Sequence, residues 1–124
     1  MEEQSSSVPI RSGRLIASLL LVLLSGCSTF HAGPRVVEQG VVFSLSAPSA
    51  RKVTVAGSFN QWDPERNPLS GPDSSGAWSI LLPLEDGRHE YLFFVDGKQW
   101  VQDPHAPSAD DGLGGKNSVV IIKR

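Results

Sequence analysis

Short runs in which apolar and polar residues alternate follow one another along most of this sequence. Residues 43–46 (FSLS) and 53–55 (VTV) show this period of two, which is typical of half-buried β-strands. From residue 36 onward, turn signals recur about every 8–12 residues, and no stretch shows sustained helical periodicity. The chain is therefore expected to fold into short strands joined by tight turns.

Counting these runs gives about seven short strands in residues 36–124. This number predicts an all-β fold, an immunoglobulin-like β-sandwich. Residues 103–115, rich in aspartate and glycine, are expected to form a long loop. The predicted core consists of Val41, Phe43, Leu45, Val53, Val55, Trp78, Ile80, Leu82, Tyr91, Phe93, Val95 and either Val119 or Val120.

The N-terminal part of the chain is of a different kind. Residues 15–24 form an apolar run without charge, after a polar segment that contains Arg11 and Arg14. As a helix this run is about 15 Å long, half of the roughly 30 Å hydrocarbon core of a membrane. Its length fits the apolar region of a secretory signal better than a membrane-spanning helix.

The residues that follow this run, Leu24-Ser25-Gly26-Cys27, resemble the bacterial lipoprotein signal. The resemblance implies a signal peptide at residues 1–26, export, and a lipid, palmitate included, on Cys27. Residues 27–35 are then the lipidated cysteine and a tether, and residues 36–124 are the sandwich. Ser28 implies the outer membrane rather than the inner one. The alternative is a signal anchor with an incidental cysteine.

The composition and the histidines argue against several other functions. Basic and acidic residues number 11 and 13, without a basic run, so no nucleic acid is expected as a partner. His31, His89 and His105 lie in separate segments, and no serine has the context of a nucleophile. A small sandwich also offers little cleft for two opposed carboxylates. We therefore expect no enzymatic activity, no cofactor and no metal.

Three tryptophans remain as candidates for ligand binding. Trp78 is in phase with the apolar face of its strand and is expected in the core. Trp62 lies in a polar turn, and Trp100 follows a hairpin turn. Exposed indoles suit the apolar C–H faces of sugar rings, and amides such as those of Asn60 and Asn117 suit the hydroxyls. The alternative is that Trp62 and Trp100 fold back to close the ends of the sandwich.

Three motifs in this order resemble a known family. They are residues 53–62 (VTVAGSFNQW), residues 87–97 (GRHEYLFFVDG), and Trp100 followed by Asp103-Pro104. They are similar to the glycogen-binding module of the AMP-activated protein kinase β subunit and its relatives, carbohydrate-binding module family 48. The resemblance covers nearly all of residues 36–124. It implies an early-set immunoglobulin-like sandwich that binds α-1,4-glucans.

The resemblance also implies roles for particular residues. Trp62 and Trp100 match the two tryptophans that bind the glucan, and Leu113 and Asn117 match residues at its edge.

Three positions depart from the family pattern. The family lysine after the strand tyrosine is Leu92 here, and a binding threonine is Gly115. The hairpin holds one extra residue and contains Lys98, which we expect to replace the missing donor in part. Both tryptophans are retained, whereas some polar contacts of the family are not. We therefore predict that stacking dominates binding and that selectivity among glucans is altered or weakened.

These observations predict a non-catalytic, membrane-anchored module that binds an α-glucan such as glycogen or starch. Its expected partners are the polysaccharide or a separate glucan-active enzyme, and the membrane through the lipid on Cys27. The alternative is an envelope protein-interaction module that has kept the fold and lost sugar binding.

Overall fold

The computed structural model describes residues 33–124, and within this range the chain forms eight β-strands and no helix. The strands are β1 (Arg35–Val37), β2 (Gly40–Ser46), β3 (Val53–Gly57), β4 (Ala77–Leu82), β5 (Gly87–Val95), β6 (Gln99–Val101), β7 (Ser108–Asp110) and β8 (Lys116–Ile122). The predicted all-β sandwich is confirmed.

The strands form two antiparallel sheets. The first sheet has the order β1-β2-β4, and the second has the order β3-β5-β8-β7, with β6 also paired to β5. Side chains from both sheets meet between them. Phe43 of β2 contacts Tyr91 of β5 edge to face, with ring centroids 4.7 Å apart. The hydrophobic core therefore lies between the sheets, and each sheet has an outer face directed away from it.

The core agrees closely with the alternation of the sequence. Ile80 and Val95 of the predicted set are only partly buried, whereas Leu69 and Ile122 join the core. The predicted core position of Trp78 is confirmed, since this side chain is 5% exposed and its Nε1–H donates to the carbonyl of Ala47 at 2.9 Å.

The long strand β5 organises the second sheet. The strand β3 pairs with one edge of β5. Tyr91 of β5 lies opposite Gly57 of β3 on that edge and opposite Ser118 of β8 on the other. Two strands pair with this other edge of β5: β8 pairs with its first residues, and β6 pairs with its last residues. The hairpin strand that carries Trp100 and the C-terminal strand are therefore both positioned by β5.

One predicted loop contains a strand. Residues 108–110 form β7, which pairs with β8 so that Ala109 lies opposite Asn117. The sequence Ser-Ala-Asp lacks the alternating apolar side chains by which strands are predicted elsewhere in the chain. Its strand geometry comes from backbone pairing with β8, which sequence periodicity does not report.

The predicted signal peptide and the predicted lipidation of Cys27 lie outside the described residues. In the part of the chain that is described, no helix has the length and apolar character needed to cross a membrane.

Candidate functional site

The turn after β3 separates two aromatic side chains. Phe59 turns inward and packs on the core, with its ring centroid 5.7 Å from that of Phe43. Gly57 makes this turn possible, because a Cβ at this position would lie 2.4 Å from the carbonyl oxygen of Glu90 and 2.7 Å from the Phe59 ring. The close approach of the turn to β5 therefore requires glycine.

Asn60 holds the turn together from inside. Its Oδ1 accepts the N–H of Gly57 at 2.9 Å, and its Nδ2 donates to the carbonyl of Val55 at 3.1 Å and to Oδ1 of Asn67 at 2.6 Å. The side chain is 2% exposed. This burial contradicts the predicted direct contact of Asn60 with a sugar, because the amide is already bonded within the protein.

Trp62 sits at the end of this turn in an uncommon backbone conformation. Gln61 and Trp62 have φ angles of 57° and 58°, in the left-handed region that side chains other than glycine seldom adopt. The N–H of Trp62 donates to the carbonyl of Gly57 at 2.9 Å, which closes the turn. Strain of this kind, about 1–2 kcal/mol per residue, is typical of functional sites. The indole is partly buried.

Trp100 lies on the outer face of the second sheet. It is directly opposite Phe94 on β5, and the two rings have centroids 4.5 Å apart and planes inclined by 39°. Trp100 is nevertheless 49% exposed. Phe94 thus supports one side of the indole while much of its surface stays available, so for Trp100 the exposed arrangement is found rather than the alternative of an indole folded back on the sandwich.

The outer face continues from Trp100 toward the turn that carries Trp62. Phe94 and Leu92 of β5 pair with Thr54 and Ala56 of β3, and paired residues share a face. Leu92, the residue at the lysine position of the family pattern, therefore lies on the same face as Trp100. It offers an apolar contact and no hydrogen-bond donor there.

Asn117 adds a polar group to this face. Its Nδ2 donates to Oε1 of Glu90 at 3.0 Å, and Arg88 also forms a salt bridge with Glu90. The hydrogen bond from Asn117, and after it the contact with Arg88, lower the pKa of Glu90 below its usual value. Glu90 is therefore a fixed, ionised acceptor beside Asn117, and the sequence analysis did not identify it.

Leu113 protrudes from the loop between β7 and β8 and is 90% exposed. Oδ1 of Asp111 accepts the N–H groups of Leu113 at 2.7 Å and Gly115 at 3.0 Å. A Cβ at Gly115 would lie 2.8 Å from the other oxygen of Asp111. The absence of a side chain at Gly115 thus leaves room for the carboxylate that shapes the loop.

Lys98 lies at the tip of the β5–β6 hairpin. With Arg51, Lys52, Asp96 and Gly97 it lines a shallow cavity, and neither Trp62 nor Trp100 is among the lining residues. The structure therefore groups Lys98 with two other cations, and its predicted role as a replacement donor for the sugar stays a prediction.

Comparison with known proteins decides the family. A sequence profile described as the glycogen recognition site of AMP-activated protein kinase matches residues 41–124. The chain belongs to this family.

Individual relatives agree with this assignment. The 1,4-alpha-glucan branching enzyme GlgB of Pseudomonas putida is 39% identical over 74 residues, covering 58% of this chain and 10% of the enzyme. The 5'-AMP-activated protein kinase subunit beta-1 of Rattus norvegicus is 38% identical over 74 residues, covering 60% of this chain and 26% of the subunit. The 1,4-alpha-glucan branching enzyme GlgB 2 of Rhizobium etli is 33% identical over 111 residues, covering 83% and 14%. The chain thus spans between a tenth and about a quarter of the length of these relatives.

A buried polar network anchors the segment after β6 in this glycogen-recognition module. The hydroxyl of Tyr91 donates to Oδ2 of Asp103 at 2.7 Å, and the N–H of Asp103 donates to Oγ of Ser118 at 2.8 Å. Asp103 is 3% exposed. The network fixes the chain three residues after Trp100 to both β5 and β8. The motif Trp100…Asp103-Pro104 contains this acid, but its partners are apparent only in three dimensions.

Across residues 33–124, no three histidine, cysteine, aspartate or glutamate side chains converge on one point. The outer face offers an exposed indole at Trp100 and polar groups at Glu90 and Asn117.

Proposed function

We propose that this module is non-catalytic and binds an α-glucan of the glycogen or starch type on the outer face of its second sheet. The observation that carries the proposal is Trp100, which is supported by Phe94 on one side and remains 49% exposed. A large exposed indole held in place is a ready surface for a flat, partly apolar ligand. The names of the relatives, a 1,4-alpha-glucan branching enzyme among them, support this ligand class.

Two tryptophans form the stacking surface in this proposal. Trp100 receives one part of the chain of sugars, and Trp62, held by the strained turn, receives another. Indole rings lose little conformational entropy on binding, because the turn and Phe94 already restrict them. Stacking on C–H faces then supplies most of the binding free energy.

Polar groups at the edge of this surface select for hydroxyls. Glu90 is an ionised acceptor, and Asn117 is fixed beside it by their hydrogen bond. Leu113 adds an apolar contact from the Asp111 loop. Few groups are involved and the surface is open, so the affinity for a short oligosaccharide is expected to be weak.

The module is also proposed to be anchored to a membrane. Lipidation of Cys27 holds the module at the cell envelope, at the outer membrane, where it concentrates glucan near the surface or brings it to a separate glucan-active enzyme. Mass spectrometry of the membrane fraction tests the anchor. A chain that begins at a diacylated Cys27 supports it, and an unmodified Cys27 contradicts it.

Interaction with a protein is the second candidate function. Leu113 at 90% exposure and the apolar Leu92 in place of a donor favour a surface that meets an apolar partner. Such a partner would use the same outer face. The glucan experiment below separates the two candidates.

Retention of the chain on immobilised glycogen, amylose and cyclodextrin tests sugar binding. We expect the wild type to be retained and the Trp62→Ala/Trp100→Ala double variant to lose at least about tenfold in affinity, since each lost stacking contact costs about 1 kcal/mol or more. Leu81→Ala is the matched control, because Leu81 is 46% exposed on the other sheet. Folded wild type that passes through every glucan column overturns the proposal and leaves the protein-interaction candidate.

A further inference from the structure

A shallow cavity of about 410 Å³ opens at the tip of the β5–β6 hairpin, where the tip meets the link before β3. Its lining consists of Arg51, Lys52, Asp96, Gly97 and Lys98. Of the residues predicted to contact the sugar, only Lys98, the predicted replacement donor, is part of it. The cavity is therefore a separate feature of the surface that still belongs to the Trp100 hairpin.

Backbone hydrogen bonds shape this cavity in advance. Oδ1 of Asp96 accepts the N–H groups of Arg51 at 2.7 Å and Lys52 at 2.9 Å, and the N–H of Asp96 donates to the carbonyl of Lys52 at 2.8 Å. Gly97 has a φ of 67° and no heavy atom within 4 Å of the place where a Cβ would lie. The hairpin tip is thus fixed to the link before β3, with open space above Gly97.

The charge of the cavity is positive, although the chain as a whole has a formal net charge of −2. Three cations face one carboxylate, and that carboxylate is bonded to two backbone N–H groups. Lys52 lies 3.4 Å from Glu65, but both side chains are more than half exposed, so this pair is weak. Within residues 33–124, Arg51 and Lys98 form no salt bridge. Their charges are available to an anion.

We propose that this cavity binds a phosphate monoester carried by the α-glucan that lies on Trp100, so that the module prefers a phosphorylated glucan. The proposal rests on the proposed function. A guanidinium and two ammonium groups suit a compact anion with several oxygens, which Arg51 contacts through paired N–H donors and the lysines as point charges.

The position of the cavity favours a phosphate on the glucan itself. Lys98 is two residues before Trp100 in the same hairpin, and Asp96 is two residues after Phe94, which supports the indole. A sugar chain that extends from Trp100 toward the hairpin tip brings its substituents to the three cations.

A membrane phosphate fits the cavity less well. Its lining includes no apolar side chain for insertion between lipids, and it has three basic residues. Basic clusters that bind anionic membranes usually contain about 4–8 lysines and arginines. A small site with a few convergent donors is typical of a single bound group.

Titration with inorganic phosphate tests the anion site. The full chain, in a neutral detergent and at constant ionic strength, is followed by amide NMR. We expect the N–H resonances of Gly97 and Lys98 to shift with phosphate and not with chloride. The Arg51→Ala/Lys98→Ala variant should lose the shift, and Lys123→Ala, which removes one exposed charge outside the cavity, should keep it. Absence of a shift in the wild type overturns the proposal.

Paired glucans test the source of the phosphate. Retention is compared on a phosphorylated starch and on the same starch after phosphatase treatment. We expect the wild type to bind the phosphorylated form roughly three- to tenfold more tightly, as one or two charge-assisted contacts allow, with a smaller preference at high salt. The Arg51→Ala/Lys98→Ala variant should bind both forms equally.

The outcomes separate this inference from the proposed function. Equal, Trp100-dependent retention on both glucans overturns the phosphate preference and leaves glucan binding intact. No retention on either glucan overturns both, even if inorganic phosphate binds. A third outcome is that micelles containing phosphatidylglycerol compete with inorganic phosphate for the site, while the chain binds both glucans equally. This outcome overturns the assignment of the phosphate to a glucan.

Discussion

Trp100 and Phe94 face each other across β6 and β5, with ring centroids 4.5 Å apart and planes inclined by 39°. Phe94 lies on the outer face of the sheet and contributes nothing to the core between the sheets. Its ring therefore serves the indole. The strand β6 has only three residues, so this contact is a main restraint on the orientation of Trp100.

Removal of the Phe94 ring is expected to weaken glucan binding without direct loss of a sugar contact. Phe94→Ala should lower affinity for amylose roughly three- to tenfold, because Trp100 loses an aromatic contact of about 0.5–1.5 kcal/mol and becomes mobile. Phe94→Tyr keeps the ring and should bind normally. Affinity electrophoresis in amylose gels measures both, and an unchanged mobility of Phe94→Ala would show that Trp100 is held by other contacts.

Asn60 is expected to govern stability rather than direct binding. Asn60→Ala removes two buried hydrogen bonds and one partly buried one, and should lower the free energy of unfolding by about 2–4 kcal/mol. Ser58→Ala, at an exposed position in the same turn, removes only exposed hydrogen bonds with the backbone of Glu90, that from its N–H at 3.2 Å included, and should cost about 0.5–1 kcal/mol. Urea denaturation measures the difference. Equal midpoints for the two variants would contradict the central role of Asn60 in the turn.

Tyr91 is expected to resist ionisation in the folded protein. Burial, then the negative charge of Asp103, raises the pKa of Tyr91 far above its usual value. Because the folded-state pKa is raised, this contribution to stability is complete below the unfolded value of about 10 and declines as the pH rises further. Tyr91 is the chain's single tyrosine, so ultraviolet absorbance reports it alone. If Tyr91 ionised in the native protein at the ordinary pKa of a tyrosine, this prediction would be wrong.

The same tyrosine provides a stability test. Tyr91→Phe leaves Oδ2 of buried Asp103 without its donor and should cost about 1–3 kcal/mol at neutral pH. It should also remove the decline in stability above pH ~10, since phenylalanine has no proton to lose.

The Leu113 loop is expected to open only in acid. Hydrogen bonds from the N–H groups of Leu113 and then Gly115 lower the pKa of Asp111. Because the folded-state pKa is lowered, these bonds are complete above the unfolded value of about 3.9 and are lost as the pH falls through the folded one. The amide resonances of Leu113 and Gly115 should therefore move only below that range. Asp111→Asn should show no such acid transition, because an amide does not titrate, whereas Asp110→Asn should keep the transition of the wild type.

Alternation of residues predicted most of the fold. The alternating side chains predict the strands that carry the core, whereas the sequence left two alternatives for Trp100, exposed or folded back on the sandwich. Features that depend on backbone pairing were missed. The strand β7 has no apolar pattern, because it is stabilised by its register with β8.

The polar residues of the site were harder to predict. Asn60 appears in the sequence as a surface amide, and its hydrogen bonds to Gly57, Val55 and Asn67 become apparent only when the turn is folded. Glu90 looks like an ordinary exposed acid until β8 brings Asn117 beside it. Periodicity along one strand carries no information about either set of hydrogen bonds, because side-chain and turn geometry determine the bonds of Asn60 and a second strand supplies the partner of Glu90.

The single turn after β3 directs Phe59 into the core and leaves Trp62, three residues later, partly buried. Selection for folding therefore preserves the backbone path of this turn whether or not a sugar is ever bound. Trp100 has no such protection, because its surroundings are solvent and Phe94. Among descendants of this chain that abandon glucan, substitutions should accumulate first at Trp100 and Phe94, while Gly57, Phe59 and Asn60 persist.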